Sequence, residues 1–192
     1  MVSGGPWREV PHGFDNARFP QWVLEQRAKK AGTSVKPWNE SAWLHMLRWG
    51  VLAGIPPLWA AVPDCVADRE GTLREWERYS TVVRSFGFRC AFVVQNGMTF
   101  SDVPDSECML FLGGDDTWKD AAIMPWCARF PGRVHVGRVN AWDRLALCWK
   151  AGAVSIDGTG WFHKGRGGAS QFNDLRKFLR ETSQPQASRS PS

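Results

Sequence analysis

The amino-acid sequence predicts an α/β fold of the (β/α) TIM-barrel-like kind, compact or incomplete, on three observations. Short apolar runs alternate with amphipathic stretches at helical spacing, the pattern of a parallel sheet with helices packed outside it. About six such strands can be counted, against eight in a full barrel of about 250 residues. Nearly every strand ends in a polar or glycine turn: Asp15, Asp64, Gln95, Gly113-Gly114, Gly137-Arg138 and Asp157. Barrels gather binding groups from many strand ends on one rim, whereas an open doubly wound sheet concentrates them where its strand order reverses. A chain of 192 residues fills one sizeable core and hardly two, so residues 1–181 read as a single domain.

Taken in order, residues 1–11 are irregular, with a first strand expected around Trp7–Val10. Gly13–Phe19 is a polar turn carrying Asp15. Pro20–Ala31 sets Trp22, Val23, Leu24 and Ala28 on one side and basic residues on the other, an amphipathic helix. A loop leads to Ser41, which opens a second helix to Gly50 with Trp43, Leu44, Met46 and Leu47 facing inward. Leu58–Val62 is a strand stopped by Pro63-Asp64, and Asp68–Phe86 is a long helix with acidic residues at its start, as the helix dipole favours. Phe88–Val94 and Cys108–Leu112 are further strands. Trp118–Phe130 is a helix that Pro125 should bend or interrupt.

The stretch Arg133–Gly160 then reads as strand, loop, helix, turn, strand. Val134–Val136 is β-prone, the apolar residues of Ala141–Lys150 fall at helical spacing, and Gly152 suits the C-cap. Ala153–Ile156 delivers Asp157 into the turn Gly158-Thr159-Gly160. A basic, glycine-rich loop, His163–Gly168, precedes a last helix, Ser170–Glu181. Residues 182–192 form a polar Pro- and Ser-containing tail expected to be disordered.

Composition bounds the function. No apolar stretch approaches membrane-spanning length, and the N-terminus lacks the charged-then-apolar design of a signal peptide. Five scattered cysteines without a C-x-x-C suggest reduced thiols in a cytoplasmic protein. No metal and no cofactor are expected, because no cysteine pair or histidine has ligand spacing. The four histidines, His135 among them, receive no role. A net charge of +5 tilts the partner toward a polyanion. Of the twelve tryptophans, Trp22, Trp43, Trp49, Trp76 and Trp149 lie in helical patterns and are expected in or half in the core. Trp38, Trp59 and Trp161 lie nearer loops or strand ends, where a ring can stack on a base but packing is the commoner role.

Each polar strand end has a structural reading as well as a functional one. Asp157 can cap whatever follows it, Asp64 can cap a helix or its turn, and Asp15-Asn16 can be an Asx-turn. As an ordered set they favour function. The series Asp15-Asn16, Pro63-Asp64, Val94-Gln95-Asn96-Gly97, Leu112-Gly113-Gly114, Val136-Gly137-Arg138-Val139-Asn140 and Ser155-Ile156-Asp157-Gly158-Thr159 resembles the tRNA-guanine transglycosylase superfamily. It is most similar to the short phage and bacterial relatives that exchange guanine in DNA for a 7-deazaguanine. The resemblance runs from about Asp15 to Thr159 and rests most on GRVN and SIDGT flanking one helix.

That resemblance implies a barrel of the transglycosylase type with Asp157 as the nucleophile and Asp15 as the carboxylate that handles the incoming base's proton. It implies that Asp64 reads the guanine-like base and that Gln95, Gly113 and Gly114 line its pocket, with Arg138 of the GRVN segment among the substrate-binding residues. The cysteine-rich zinc segment of the tRNA enzymes has no counterpart, so DNA is the expected polymer rather than tRNA.

The chemistry agrees with these roles. Cleavage of a purine glycosidic bond passes through an oxocarbenium-like sugar that a carboxylate beside C1′ can trap. The guanine edge offers N–H donors that an acceptor-only carboxylate matches, while its O6 needs donors, for which the Gln95 amide and the Gly113-Gly114 N–H groups are candidates. Lys164 and Arg166, in the basic loop just past Asp157, are the candidate phosphate contacts. Two alternatives stay open: a barrel glycosidase or nucleoside ribosyltransferase working on free small molecules, and a non-catalytic nucleic-acid-binding relative.

Overall fold

A computed structural model describes residues 12–104, 107–162 and 168–182. Six parallel strands form one sheet in chain order: β1 Gly13–Phe14, β2 Trp59–Ala61, β3 Cys90–Val94, β4 Met109–Leu112, β5 Val134–Val136 and β6 Ser155–Ile156. Between them lie α1 Arg18–Ala31, α2 Glu40–Leu52, α3 Arg69–Ser85, α4 Asp116–Arg129 and α5 Trp142–Ala151, with α6 Gly168–Thr182 after β6. The strand order never reverses, so the sheet has no switch point of the doubly wound kind.

The sheet curls into a half-barrel, and side-chain packing shows how strongly. On a flat sheet β2 and β5 would stand about 14 Å apart, three strand spacings. Yet the rings of Trp59 on β2 and His135 on β5 have centroids 4.9 Å apart. The Trp59 indole also lies directly over the backbone of Gly13, where a Cβ would come within 2.5 Å of the ring.

Strand alternation divides the apolar residues between two cores. Phe14, Ala60, Val62, Phe92, Val94, Leu110, Leu112, Val134 and Val136 point outward to the helices and form the main core. Trp59, Ala61, Ala91, Val93 and Met109 point inward and, with Phe111, fill the bottom of the half-barrel.

Several expectations need correction. The first strand lies within the stretch read as a polar turn. Two residues show no period, and what makes Gly13–Phe14 a strand is pairing: Gly13 stands opposite Trp59, Phe14 opposite Ala60, and the Leu58 N–H donates to the His12 carbonyl at 2.8 Å. The Trp7–Val10 strand, the loop 163–167 and the tail 183–192 lie outside the described residues.

Pro125 does not interrupt α4, which runs through it to Arg129. Both Pro125 and Ala121, whose carbonyl it leaves without a helical donor, are on the exposed face, where that carbonyl can be hydrated. Trp149, expected in or half in the core, is 56% exposed. The buried stripe of α5 is Leu145 and Cys148, and Trp149 meets only the edge of Phe178 on α6, at 6.0 Å. Trp38, Trp59 and Trp161 all pack: the last two are buried, and the Trp38 indole N–H donates to the Asn16 carbonyl at 2.8 Å. No helix among the described residues is long and apolar enough to cross a membrane.

Candidate active site

The carboxyl ends of the strands surround one cavity of about 320 Å³. That is the small end of ligand-site sizes, which run from about 300 to 1,000 Å³, and suits a single ring system. Asp15, Asp64, Gln95, Gly113, Gly114, Arg138 and Asp157 all line it, so seven of the nine residues singled out in the sequence converge. Lys164 and Arg166 lie outside the described residues. Asp15 follows β1 and Asp157 follows β6, the two edges of the sheet, which would be about 24 Å apart were it flat. The curl brings both onto one cavity.

Asp64 follows β2 and is buried, with each oxygen held by an amide. The Asn16 side chain donates to Oδ1 at 2.8 Å and the Gln95 side chain to Oδ2 at 2.7 Å. Burial raises its pKa from 3.8 to about 6, with the nearby Asp15 charge adding to the rise and the two amide bonds opposing it. Asp64 caps no helix; Asp68 does that for α3, accepting from the Gly71 N–H at 3.0 Å.

The second amide partner is itself fixed. Gln95 Oε1 accepts from the Ala67 and Gly114 N–H groups at 2.9 and 3.0 Å, which sets the direction of its NH₂. Gly113 lets it lie there, since a Cβ would be 2.8 Å from Gln95 Nε2. This corrects the donor assignment for O6. The Gly113 N–H donates to the Val94 carbonyl at 2.9 Å and the Gly114 N–H to Gln95, so neither is available, and of that set only the second proton of Gln95 Nε2 remains.

Asp157 is held from two sides. The backbone N–H of Arg138 donates to Oδ1 at 2.7 Å, and His135 Nε2 stands 3.1 Å from Oδ2. Burial pushes its carboxyl up, but the His135 and Arg138 hydrogen bonds and the Lys119 charge outweigh that and hold it below the usual carboxylate range. Asp15 is driven the other way. Burial raises it, with Asp157 adding to the rise, although the Asn16 N–H donates to its Oδ1 at 2.7 Å. Its side chain faces the open cavity while protein surrounds it, so it is both reachable and poorly solvated. Carboxylates pushed apart in this way are suited to different tasks, one an ionised nucleophile and the other a proton carrier.

Three residues outside the expected set complete the site. Asn16 ties Asp64 to Asp15 through its side chain and backbone. Lys119, fully buried on α4, donates to the Gly137 carbonyl at 2.8 Å, and burial lowers its pKa to about 8. Ligand spacing alone gives His135 no role. Strand parity would have found it: Ser155 and Asp157 share a face, and the parallel register sets His135 opposite Ser155.

Backbone strain gathers here too. Among the described residues three non-glycines have positive φ, Ala17 at 59°, Ala67 at 59° and Arg138 at 60°, and each sits in a loop leaving β1, β2 or β5 on this rim. They aim backbone N–H groups at site side chains, Ala17 at Asp15, Ala67 at Gln95 and Arg138 at Asp157. The Arg138 guanidinium lies 4.0 Å over the Phe19 ring and donates to the Gly114 carbonyl, which joins the β1, β4 and β5 ends across the cavity.

The pH dependence of Asp64 is directly measurable. Its raised pKa means that the folded state prefers the protonated form. The associated stability is present below pH 3.8 and is lost as pH rises through about 6. Wild type relative to Asp64→Asn should therefore lose about 2 kcal/mol between pH 4 and 7. Urea titrations of both proteins across that range measure it, and a constant difference would contradict the burial of this carboxylate.

Set against known protein families, curated proteins and solved structures, the chain matches none of them.

Proposed function

We propose that the protein is a DNA guanine transglycosylase, a barrel of the tRNA-guanine transglycosylase type that replaces guanine in DNA with a 7-deazaguanine. The observation that carries this is the carboxylate trio on one small cavity: Asp157 held ionised, Asp15 held toward its protonated form, and Asp64 presented as a fixed acceptor. Three carboxylates make the cavity unsuited to a phosphate. They suit a donor-rich base edge and a sugar that develops positive charge.

In this scheme an Asp157 oxygen attacks C1′ as the C1′–N9 bond breaks, and the bonding pair leaves with N9. Asp15 gives its proton to N9, so guanine departs neutral and Asp15 is left as the carboxylate. A 7-deazaguanine then binds, returns its N9 proton to Asp15, and its N9 attacks C1′ and displaces the Asp157 carboxylate. Both aspartates end as they began. Asp64 accepts from N1–H and the 2-amino group in both half-reactions, which explains how one pocket takes the leaving and the entering base.

With DNA in large excess over protein, labelled guanine should be released beyond one equivalent per protein only when a 7-deazaguanine is supplied, with no abasic sites formed. Release from free guanosine but not from DNA would favour the small-molecule ribosyltransferase instead.

A polymer substrate also needs phosphate contacts while the nucleotide flips from the stack. The Lys164→Ala, Arg166→Ala double variant should bind DNA of every sequence more weakly and flatten the salt dependence by about one counterion per lost contact. Binding measured over a salt series checks it, and an unchanged slope would remove the loop from DNA binding.

A further inference from the structure

We infer that His135 is the positioning residue for Asp157: an imidazole clamped inside the half-barrel that, together with the Arg138 N–H, fixes the plane of the carboxylate. This rests on the proposed role of Asp157 as nucleophile.

The ring is buried against Phe111, 4.6 Å away, and Trp59, 4.9 Å away, two rings that also meet each other at 5.7 Å, so the three form one packed aromatic cluster. Its two nitrogens meet two side chains that project from the same face of β6: Nδ1 lies 2.8 Å from Ser155 Oγ and Nε2 3.1 Å from Asp157 Oδ2. An ionised carboxylate can only accept, so Nε2 carries the proton, and in the neutral ring Nδ1 takes the Ser155 hydroxyl proton.

Apart from Ser155, the strand residues around it on the inner face are apolar: Trp59, Ala61, Ala91, Val93 and Met109. A polar ring there carries a desolvation cost that its partners must offset. Asp157 does not need it for satisfaction, because 48% of its side chain is open and can be hydrated. What the ring adds is direction. With Oδ1 on the Arg138 N–H and Oδ2 on His135, rotation about the last side-chain torsion breaks one bond or the other. Nucleophiles are commonly backed by an orienting group in this way. Its role in this scheme is to hold the carboxylate, since Asp157 acts as nucleophile and neither gains nor loses a proton in either half-reaction.

His135→Phe keeps an aromatic ring packed on Trp59 and Phe111 and removes the donor. Asp15, Lys119 and Arg138, the other charged groups bearing on Asp157, are untouched. Carboxyl ¹³C NMR should show Asp157 titrating higher by about one pH unit, with no substrate needed. In the exchange assay kcat should fall about 100-fold with little change in KM for DNA. His135→Gln, whose amide can donate, should recover part of both. Ser155→Ala, which frees Nδ1 to take the ring proton, should move both in the same direction by less.

An Asp157 titration unchanged in folded His135→Phe and Ser155→Ala would overturn the inference. A shifted titration in a protein whose wild type exchanges no base would uphold His135 as the group that holds Asp157, while ending the transglycosylase proposal.

Discussion

Asp157→Asn is expected to lower base exchange by about 10⁴-fold or more while leaving the fold and most DNA affinity in place. The surroundings of the side chain explain why the two effects separate. Asparagine keeps an oxygen for the Arg138 N–H. Its amide nitrogen then faces His135 Nε2, which can become the acceptor if the ring proton moves to Nδ1, and the Ser155 hydroxyl can accept as readily as it donates. The three-residue chain therefore re-forms with its hydrogen bonds reversed. Only the nucleophile is lost. Exchange rates under saturating base, with a DNA-binding isotherm as the control, measure this, and near-normal exchange would remove Asp157 from the chemistry.

The second large effect concerns Asp64. Asp64→Ala is expected to weaken binding of guanine and 7-deazaguanines by about 100-fold or more, since each hydrogen bond to a charged acceptor contributes about 1.5 to 3 kcal/mol. Part of any loss will be structural, because the Asn16 and Gln95 amides are left without their shared acceptor. A comparison within the variant separates the two. Analogues lacking the 2-amino group should lose less, by at least the value of one such bond, while damage to the pocket would weaken all ligands alike. In the wild type, binding should strengthen as pH rises through about 6, where the raised Asp64 pKa places the change from carboxylic acid to acceptor-only carboxylate. Calorimetry over that range with both ligands checks the assignment, and equal losses for the two would make Asp64 structural.

Much of the fold was legible because its strands announce themselves. Val134–Val136 stands where the sequence places it, and Asp68, Ala141, Gly152 and Phe86 all sit at the helix ends read for them. β1 was not legible, since two residues become a strand only through a partner 46 positions away, as the pairing of Gly13 with Trp59 shows. The rim residues were legible one by one, but not their mutual commitments. Nothing in Gln95-Asn96-Gly97 reveals that the Gln95 carbonyl spends itself on Ala67 and Gly114, which is why the glycine N–H groups turned out to be occupied. Lys119 was hidden for a different reason. A lysine on an amphipathic helix normally faces water, and here its burial is met by the Gly137 carbonyl and the Asp116 carboxylate.

The central claim is that Asp157 carries the sugar of the DNA between two bases. Mixing the protein with a guanine-containing duplex, quenching in acid before the second base is added, and measuring the intact mass tests it most directly. A protein heavier by the oligonucleotide minus one guanine, with the linkage mapped by proteolysis to Asp157 and absent from Asp157→Asn, is the predicted result. An adduct mapped to another residue, or guanine released onto abasic DNA with the protein mass unchanged, would contradict it.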